Sequence, residues 1–347
     1  MTAGVTLRAT VEELLAGRDL APDSAEAAFE ALIDGAVPEV LKAAFLIALR
    51  AKGERPEELA ALATAMLRRA AAVPHEESVL VDTCGTGGDG SNSVNLSTAA
   101  ALLVAAAGVP VAKHGNRSVS SRAGSADLVE ALGLPFAETP EDARHALERD
   151  RFAFLFAPAF HAATAAIVPV RRALGLRTVF NVLGPLVNPA RPTHQLTGTG
   201  GVPLAERMAR ALALLDVRRA FVVSGAGDWD EATPVGPFEL FEVSGAEVTR
   251  RSVEPADYGI ERCSPEDLVG GDAARNAEIV SAVLAGERAG NARHVRDAVV
   301  LNAALVFQLL GDELDPRAAA QRAEATIDRG DAARFVDVLG RAAGRTA

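Results

Sequence analysis

A large α/β domain built on a mostly parallel central sheet, joined to a small all-helical domain, is the fold that this 347-residue chain predicts. Two patterns predict it. Between Asp23 and Ala72 the chain reads as closely spaced helices, whereas from Ser78 onward short apolar runs alternate with helical stretches, as parallel strands joined by crossover helices do. The length accommodates one large core plus an appendage. The helical domain is drawn as residues 1–77 with 161–193, and the α/β domain as 78–160 with 194–347.

In the helical segment, Asp23 and Glu26 stand at capping-box spacing. Pro38 opens a helix whose apolar stripe of Val40, Leu41, Ala44, Phe45, Ile47 and Leu49 ends at Gly53, and Pro56 opens the next. So much apolar helix surface requires a cover, for which a second copy of the chain is expected. Strands are expected at 79–81, 109–113, 152–156 and 221–224. Helices are expected near 97–107, 125–132, 140–148 and 204–215, and 161–174 is a helix expected to return to the N-terminal lobe. The last third adds helices at 272–284, 295–310 and 316–329.

Composition narrows the function. Hydrophobic residues make up 49% and charged residues 23%, which fits a globular protein rather than a disordered or fibrous one. With 35 basic against 46 acidic side chains the net charge is -11, which opposes nucleic acid and anionic membrane as partners, and one Trp and one Tyr make poor stacking platforms for single strands. Any anion site must therefore be local. Cys84 and Cys263 are too few for a disulfide framework and have no zinc-finger spacing, so a reducing cytoplasm is expected. The opening MTAGVTLRATVEELL lacks the pattern of a signal peptide, and the most apolar run, 99–112, is too short to cross a bilayer.

The first chemical signal is DTCGTGGDGSNSVNLST, from Asp82 to Thr98. Gly85 to Gly90 matches GxGxxG, but the helix is delayed to Ser97, Asp89 would face a pyrophosphate, and Lys113 stands where a ribose-binding acid belongs. Gly90 precedes Ser91 rather than Lys, against a P-loop. A cradle fits better: glycines free backbone N–H groups for an anion, Asn95, Ser97 and Thr98 add donors at a helix N-terminus, and Asp89 with Ser97 suits a magnesium ion shared with phosphate. Cys84, with no paired His, reads as a small buried neighbour rather than a nucleophile.

The second signal is the run from Lys113 to Arg122, KHGNRSVSSR, whose cations and hydroxyls follow a strand and focus positive potential on phosphate. The third is Ser224 to Thr233, SGAGDWDEAT, where adjacent Asp230 and Glu231 suit a shared cation, although such a pair also occurs as plain surface charge.

Taken in order and separation, GTGGDG, NLST, KHGNRSVSS, GSAD, FNVLGPLVNP and DEATPVGP, with AAFLIALRAKGE in the helical segment, resemble the anthranilate phosphoribosyltransferase family. The resemblance implies transfer of a 5-phosphoribosyl group from phosphoribosyl pyrophosphate to anthranilate with Mg²⁺, in a cytoplasmic homodimer paired through its helical domain. It places Gly85, Gly88, Asp89, Ser93, Asn95, Leu96, Ser97, Thr98, Lys113, His114, Gly115, Asn116, Arg117, Ser118, Val119, Ser120, Ser121 and Ser125 on phosphoribosyl pyrophosphate. Gly85, His114, Asn116, Arg171 and Pro185 fall on anthranilate, and Ser97, Asp230 and Glu231 on the metal. No general base is compelled; His114 is the candidate. The chain departs from the family pattern at Ala123, where a serine is usual, and at His161 to Thr164, HAAT in place of an HPAM-like segment.

Two other readings compete. A pyrimidine nucleoside phosphorylase has the same architecture, but the Asp230–Glu231 pair is superfluous for attack by inorganic phosphate. A non-catalytic nucleic-acid-binding relative is opposed by the acidic charge and need not keep Asp89, Ser97, Lys113, Arg171 and Glu231.

Overall fold

The computed structural model describes residues 3–118 and 122–342. Its sheet runs in the order β3-β2-β1-β4-β5-β6-β7, with β1 Val81–Gly85, β2 Val111–Gly115, β3 Phe152–Phe156, β4 His194–Gly198, β5 Arg219–Ser224, β6 Phe238–Ser244 and β7 Glu247–Val253. Strands β1 to β5 are parallel, and β6 and β7 add antiparallel at one edge.

Expected strands β1 and β2 lie further along the chain than their apolar runs suggested. Both extend into polar residues because a central parallel strand tolerates them where they are hydrogen-bonded. Asp82, fully buried in β1, accepts from the backbone N–H of His114 in β2 at 3.3 Å and from Asn188 Nδ2 at 2.9 Å. Strand β4, HQLTG, was not expected for the same reason: it is buried but carries His194, Gln195 and Thr197 in place of an apolar run. The β6–β7 hairpin was also unforeseen, and Gly245 at φ 57 makes its turn.

The chain runs outward from β1 to β2 and β3 on one side and through β4 and β5 on the other, so strand order reverses between β1 and β4. Register aligns Gly85 with Gly198 and Gly198 with Val223, which brings the loops after β1, β4 and β5 to one sheet edge. Ligands bind at such a switch point in open α/β sheets.

Alternate residues of β5 face different cores. Phe221 and Val223 join the Leu96–Ala106 and Asn291–Leu310 helices on one face, while Ala220 and Val222 join the N-terminal helices and Val202–Leu212 on the other. The helical segment comprises Ala3–Leu15, which was not expected, then Pro22–Ile33, Glu39–Lys52 and Pro56–Arg68. Residues 161–174 do return to it through Ile167 and Val170, although as a 3-10 turn, Ala162–Ile167, followed by Val168–Leu174, because Pro169 lacks the N–H that a continuous helix needs. The last helix, Asp331–Ala342, was not read from sequence.

Two local expectations are corrected. Pro22–Ile33 starts after Ala21 with no side-chain cap, so the Asp23–Glu26 capping box does not form. The buried face of Glu39–Lys52 is Lys42, Phe45, Leu46, Ala48 and Leu49, whereas Val40 is 79% exposed.

Glu58 pins this segment together. Its fully buried carboxylate accepts from Leu20 N, Arg55 N and Lys52 Nζ, each at 2.8 Å. Replacing it leaves two backbone donors without their acceptor and the nearly buried Lys52 ammonium with Asp19 alone, so Glu58→Ala is expected to lower stability by about 3–5 kcal/mol in urea titrations. A change below about 0.5 kcal/mol, the range of ordinary surface substitutions, would contradict that role.

Candidate active site

The three loops at the sheet edge enclose a cavity of about 490 Å³. Its first wall is the glycine loop after β1. Gly87, Gly88 and Gly90 adopt φ of 66, 73 and 80°, a conformation that side-chain-bearing residues rarely take, so the backbone can fold back on itself. Asp89 stabilises the turn by accepting from Ser91 N at 3.1 Å and Ser91 Oγ at 3.0 Å. The helix then begins at Leu96, as late as the sequence implied.

The acidic loop after β5 lies directly against this turn. Asp230 Oδ2 accepts from Gly87 N at 2.6 Å, Asp89 Oδ2 accepts from Asp230 N at 3.3 Å, and Glu231 Oε1 accepts from Ser97 N at 3.2 Å. Two donors of the cradle, one of them at a helix N-terminus, therefore already hold carboxylates of the chain itself. Such close approach requires glycine on the facing strands: a Cβ on Gly85 would stand 2.5 Å from Asp230 Oδ2, and one on Gly198 would stand 1.6 Å from the Asp230 carbonyl oxygen.

Three carboxylates in one desolvated corner repel one another. Burial, then the charge of Asp89, pushes Asp230 up to about 7. Burial and Asp230 push Glu231 well above the usual carboxylate range, and its Oε2 is buried with no hydrogen-bond partner. That orphaned oxygen, the Asp230 carboxylate and the nearby Ser97 hydroxyl form a hard oxygen donor set, which suits Mg²⁺ shared with substrate phosphates.

The second wall comes from β2 and the loop after it. Lys113 is 1% exposed; its Nζ donates to Thr83 O and, at 3.3 Å, to Ser97 Oγ. Burial lowers its affinity for a proton while Asp82, Cys84 and Glu231 oppose that shift. Asp82 is in turn raised to about 6, chiefly by burial and against the pull of Lys113. Lys113 thus stands behind the acid pair, its ammonium opposed by burial and favoured by the carboxylates around it. Cys84 is pushed up to about 12 by burial, which leaves it a thiol and no nucleophile.

Most of the residues singled out in the sequence line this cavity together: Gly85, Gly88, Asp89, Ser93, Asn95, Ser97, Thr98, Lys113, His114, Gly115, Asn116, Arg117, Ser118, Ser125, Arg171, Pro185, Asp230 and Glu231. Leu96 does not; its side chain is fully buried in the main core. Val119, Ser120 and Ser121 lie outside the described residues. Arg117 is at the rim, but its guanidinium donates to Asp127 at 3.0 Å and Glu130 at 2.7 Å rather than pointing inward. Ala123, the departure from the family pattern, supplies its carbonyl to Asn95 Nδ2 at 3.1 Å.

Farther along the cavity the chemistry changes from anionic to aromatic. Arg171 is half-buried, lies over the Phe180 ring at 5.3 Å, and has no carboxylate within salt-bridge distance among the described residues. Burial holds its guanidinium below its ordinary value. Nearby, His114 and His161 pack edge to face with centroids 5.1 Å apart, and Pro185 closes the wall. Burial, reinforced by His161, drives His114 down to about 3, and its Nδ1 lies 3.3 Å from Gly184 O. An imidazole that resists protonation so strongly is a poor general base at neutral pH.

Sequence reasoning missed Arg177. Its Nη1 donates to Gly87 O at 2.7 Å and its Nη2 to Thr86 O at 3.5 Å, while Arg50 Nη1 donates to the Arg177 carbonyl at 2.6 Å. This strap joins the helical segment to the glycine loop; at position 88 the φ of 73° favours glycine, and a Cβ there would displace the Arg177 guanidinium. A lone Arg in LGLRT gave no local signal. Met66 from the helical segment also lines the cavity.

Comparison with known proteins agrees with this geometry. Residues 77–333 match the model described as "Glycosyl transferase family, a/b domain", and residues 8–70 match "Glycosyl transferase family, helical bundle domain". The anthranilate phosphoribosyltransferase of Solibacter usitatus is 50% identical over 302 residues, covering 86% of this chain and 87% of the relative. That of Nitratidesulfovibrio vulgaris is 47% identical over 305 residues, covering 86% and 89%. The crystal structure of the Thermus thermophilus enzyme superposes with a TM-score of 0.88 at 39% identity, covering 95% of this chain and 98% of that one. The Saccharomyces cerevisiae enzyme in complex with PRPP and Mg gives 0.89 at 27% identity, covering 98% of each chain. Two loops that meet through buried carboxylates, a fold matched end to end and this level of identity lead to one conclusion: the chain belongs to the anthranilate phosphoribosyltransferase family.

Proposed function

We propose that this chain transfers the 5-phosphoribosyl group of phosphoribosyl pyrophosphate to the amine of anthranilate, releasing N-(5-phosphoribosyl)anthranilate and pyrophosphate, as a step of tryptophan biosynthesis with Mg²⁺. The observation that carries the proposal is one cavity with two unlike ends: an acid cluster on the glycine loop, and a half-buried Arg171 with no carboxylate partner among the described residues. The relatives solved with PRPP and Mg and with 4-fluoroanthranilate agree with that pairing.

In this reading the pyrophosphate lies over the glycine loop, within reach of the Asn95, Ser97 and Thr98 donors, and Lys113 stands behind them on Ser97. A bound Mg²⁺, held by Asp230, Glu231 and Ser97, supplies charge neutralisation for the departing pyrophosphate. The Arg171 fork holds the anthranilate carboxylate and aims the amine at C1′. As the C1′–oxygen bond breaks, the amine nitrogen forms the new bond to C1′ and its proton passes to solvent, since His114 is a poor acceptor at about 3.

We also propose that residues 1–77 with 161–193 act as one lobe, supported by the core that Ile167 and Val170 share with Leu7 and Phe45. A homodimer through that lobe is supported by the exposed Val5, 53%, and Val40, 79%. A cytoplasmic setting fits the two free cysteines.

Anthranilate fluorescence is expected to fall on mixing with phosphoribosyl pyrophosphate and Mg²⁺; consumption of a different amine with anthranilate untouched would sink the substrate assignment. Asp230→Asn combined with Glu231→Gln is expected to reduce turnover by about 10²-fold or more, the scale of losing a preorganised electrostatic group. Arg171→Ala should raise KM for anthranilate about 10- to 100-fold, the equivalent of a charged hydrogen bond, while KM for phosphoribosyl pyrophosphate stays put. Equal effects on both KM values would remove Arg171 from the carboxylate.

Stability should also depend on pH in a defined direction. Because Asp230 is raised from 3.8 to about 7 in the fold, its ionisation opposes folding, so the metal-free protein is most stable on the acid side and loses stability as pH rises through about 7. Asp82, raised to about 6, acts with the same sign. In thermal melts at pH 5 and 8, the advantage of Asp230→Asn over wild type should be larger at pH 8, and Mg²⁺ should rescue wild type there. An advantage equal at both values would refute the linkage.

A further inference from the structure

A second cluster of side chains with metal-ligand chemistry, Cys263, Asp267 and His294, shares no residue with the acid pair. The donor atoms of Cys263, Asp267 and His294 lie within 4.8 Å of one another, and all three residues are half-buried. Each offers an unengaged donor. His294 Nδ1 is buried with no hydrogen-bond partner. Asp267 Oδ2 accepts from Ser264 N and Oγ, both at 2.9 Å, and no hydrogen bond to Oδ1 is found among the described residues. Cys263 is a free thiol.

Local structure explains the convergence. Cys263 precedes the turn Pro265–Leu268 by two positions, and Asp267 is the third residue of that turn, with its carboxylate holding Ser264 at the N-cap. His294 lies in the first turn of Asn291–Leu310, and Asp297 follows three positions on, so both share one helix face. Asp297 acts electrostatically on both Cys263 and His294, which places further negative charge beside the cluster. Thiolate, imidazole and carboxylate together select a borderline-soft ion such as Zn²⁺ over Mg²⁺, which prefers oxygen donors alone. The distance in sequence between Cys263 and His294 hides the set from any reading of motif spacing.

We propose that Cys263, Asp267 and His294 form a binding site for one zinc-like divalent ion, with a fourth, water-filled position. Binding replaces the thiol proton, which leaves to solvent. The position gives the site a structural consequence. Cys263 N donates to Pro234 O at 3.1 Å, just beyond the Asp230–Glu231 pair. Farther along the same segment, Leu268 O accepts from Val94 N at 3.0 Å, and Gly270 N donates to Asn92 O at 2.9 Å, which ties it to the glycine loop. An ion at Cys263 would therefore brace the segment that holds both loops of the catalytic cavity.

The test uses Co²⁺ as a spectroscopic stand-in, titrated into the full-length, metal-stripped protein, with circular dichroism confirming that each variant is folded. Wild type and Cys84→Ser are expected to show a cobalt–thiolate charge-transfer band that saturates at one ion per chain, and Zn²⁺ should displace it. Cys263→Ser should abolish the band, and Asp267→Asn and His294→Ala should each weaken Co²⁺ binding by about tenfold or more. The Asp230→Asn, Glu231→Gln protein should retain the band, which distinguishes this site from the magnesium site. No thiolate band in wild type, a band that survives Cys263→Ser, or unchanged affinity in both Asp267→Asn and His294→Ala would overturn the proposal.

Discussion

Carboxylate repulsion at the sheet edge is the constraint on which the site depends. Asp89, Asp230 and Glu231 are held together in a desolvated corner by the amides of Gly87, Asp230 and Ser97, with Lys113 behind them. Amide donors and one buried ammonium do not neutralise that much charge, as the raised Asp230 and Glu231 and the orphaned Glu231 Oε2 show. A cation completes the corner, and the same cation would neutralise a pyrophosphate. The arrangement is strained in the direction that binding relieves.

The backbone around the corner follows from it. Gly85 and Gly198 are paired across β1 and β4 and leave room for the Asp230 loop, and Gly88 leaves room for Arg177. Arg177 then links the glycine loop to the helical segment through Arg50. The glycine loop and the helical segment are therefore joined through two guanidinium groups, and that of Arg177 lowers the proton affinity of Asp230.

Sequence revealed the parts of this arrangement that are written locally. Positive-φ glycines, a delayed helix start, a lysine at a strand end and an adjacent acid pair are all short-range patterns, and each was found on the cavity. What it concealed depends on tertiary contacts. Strand β4 is buried yet polar, so no apolar run marks it, and the β6–β7 hairpin lies outside the parallel pattern that dominates the rest. Arg117 is a basic residue in a basic loop, but Asp127 and Glu130, one helix turn apart, draw it away from the cavity. Arg177 was silent because its role is to reach a loop ninety positions distant in sequence. His114 was only a candidate base in the sequence, and its burial beside His161, which lowers its proton affinity, is a tertiary feature.

The central claim is that the acid pair stays partly protonated until a cation and pyrophosphate arrive. Proton release measured in weakly buffered solution near pH 6.5, on adding Mg²⁺ with phosphoribosyl pyrophosphate, tests it most directly. The account predicts a release of about one proton per site beyond that of the ligands alone, lost in the Asp230→Asn, Glu231→Gln protein. Tight Mg²⁺-dependent binding with no excess protons, or with the same excess in the variant, would contradict it.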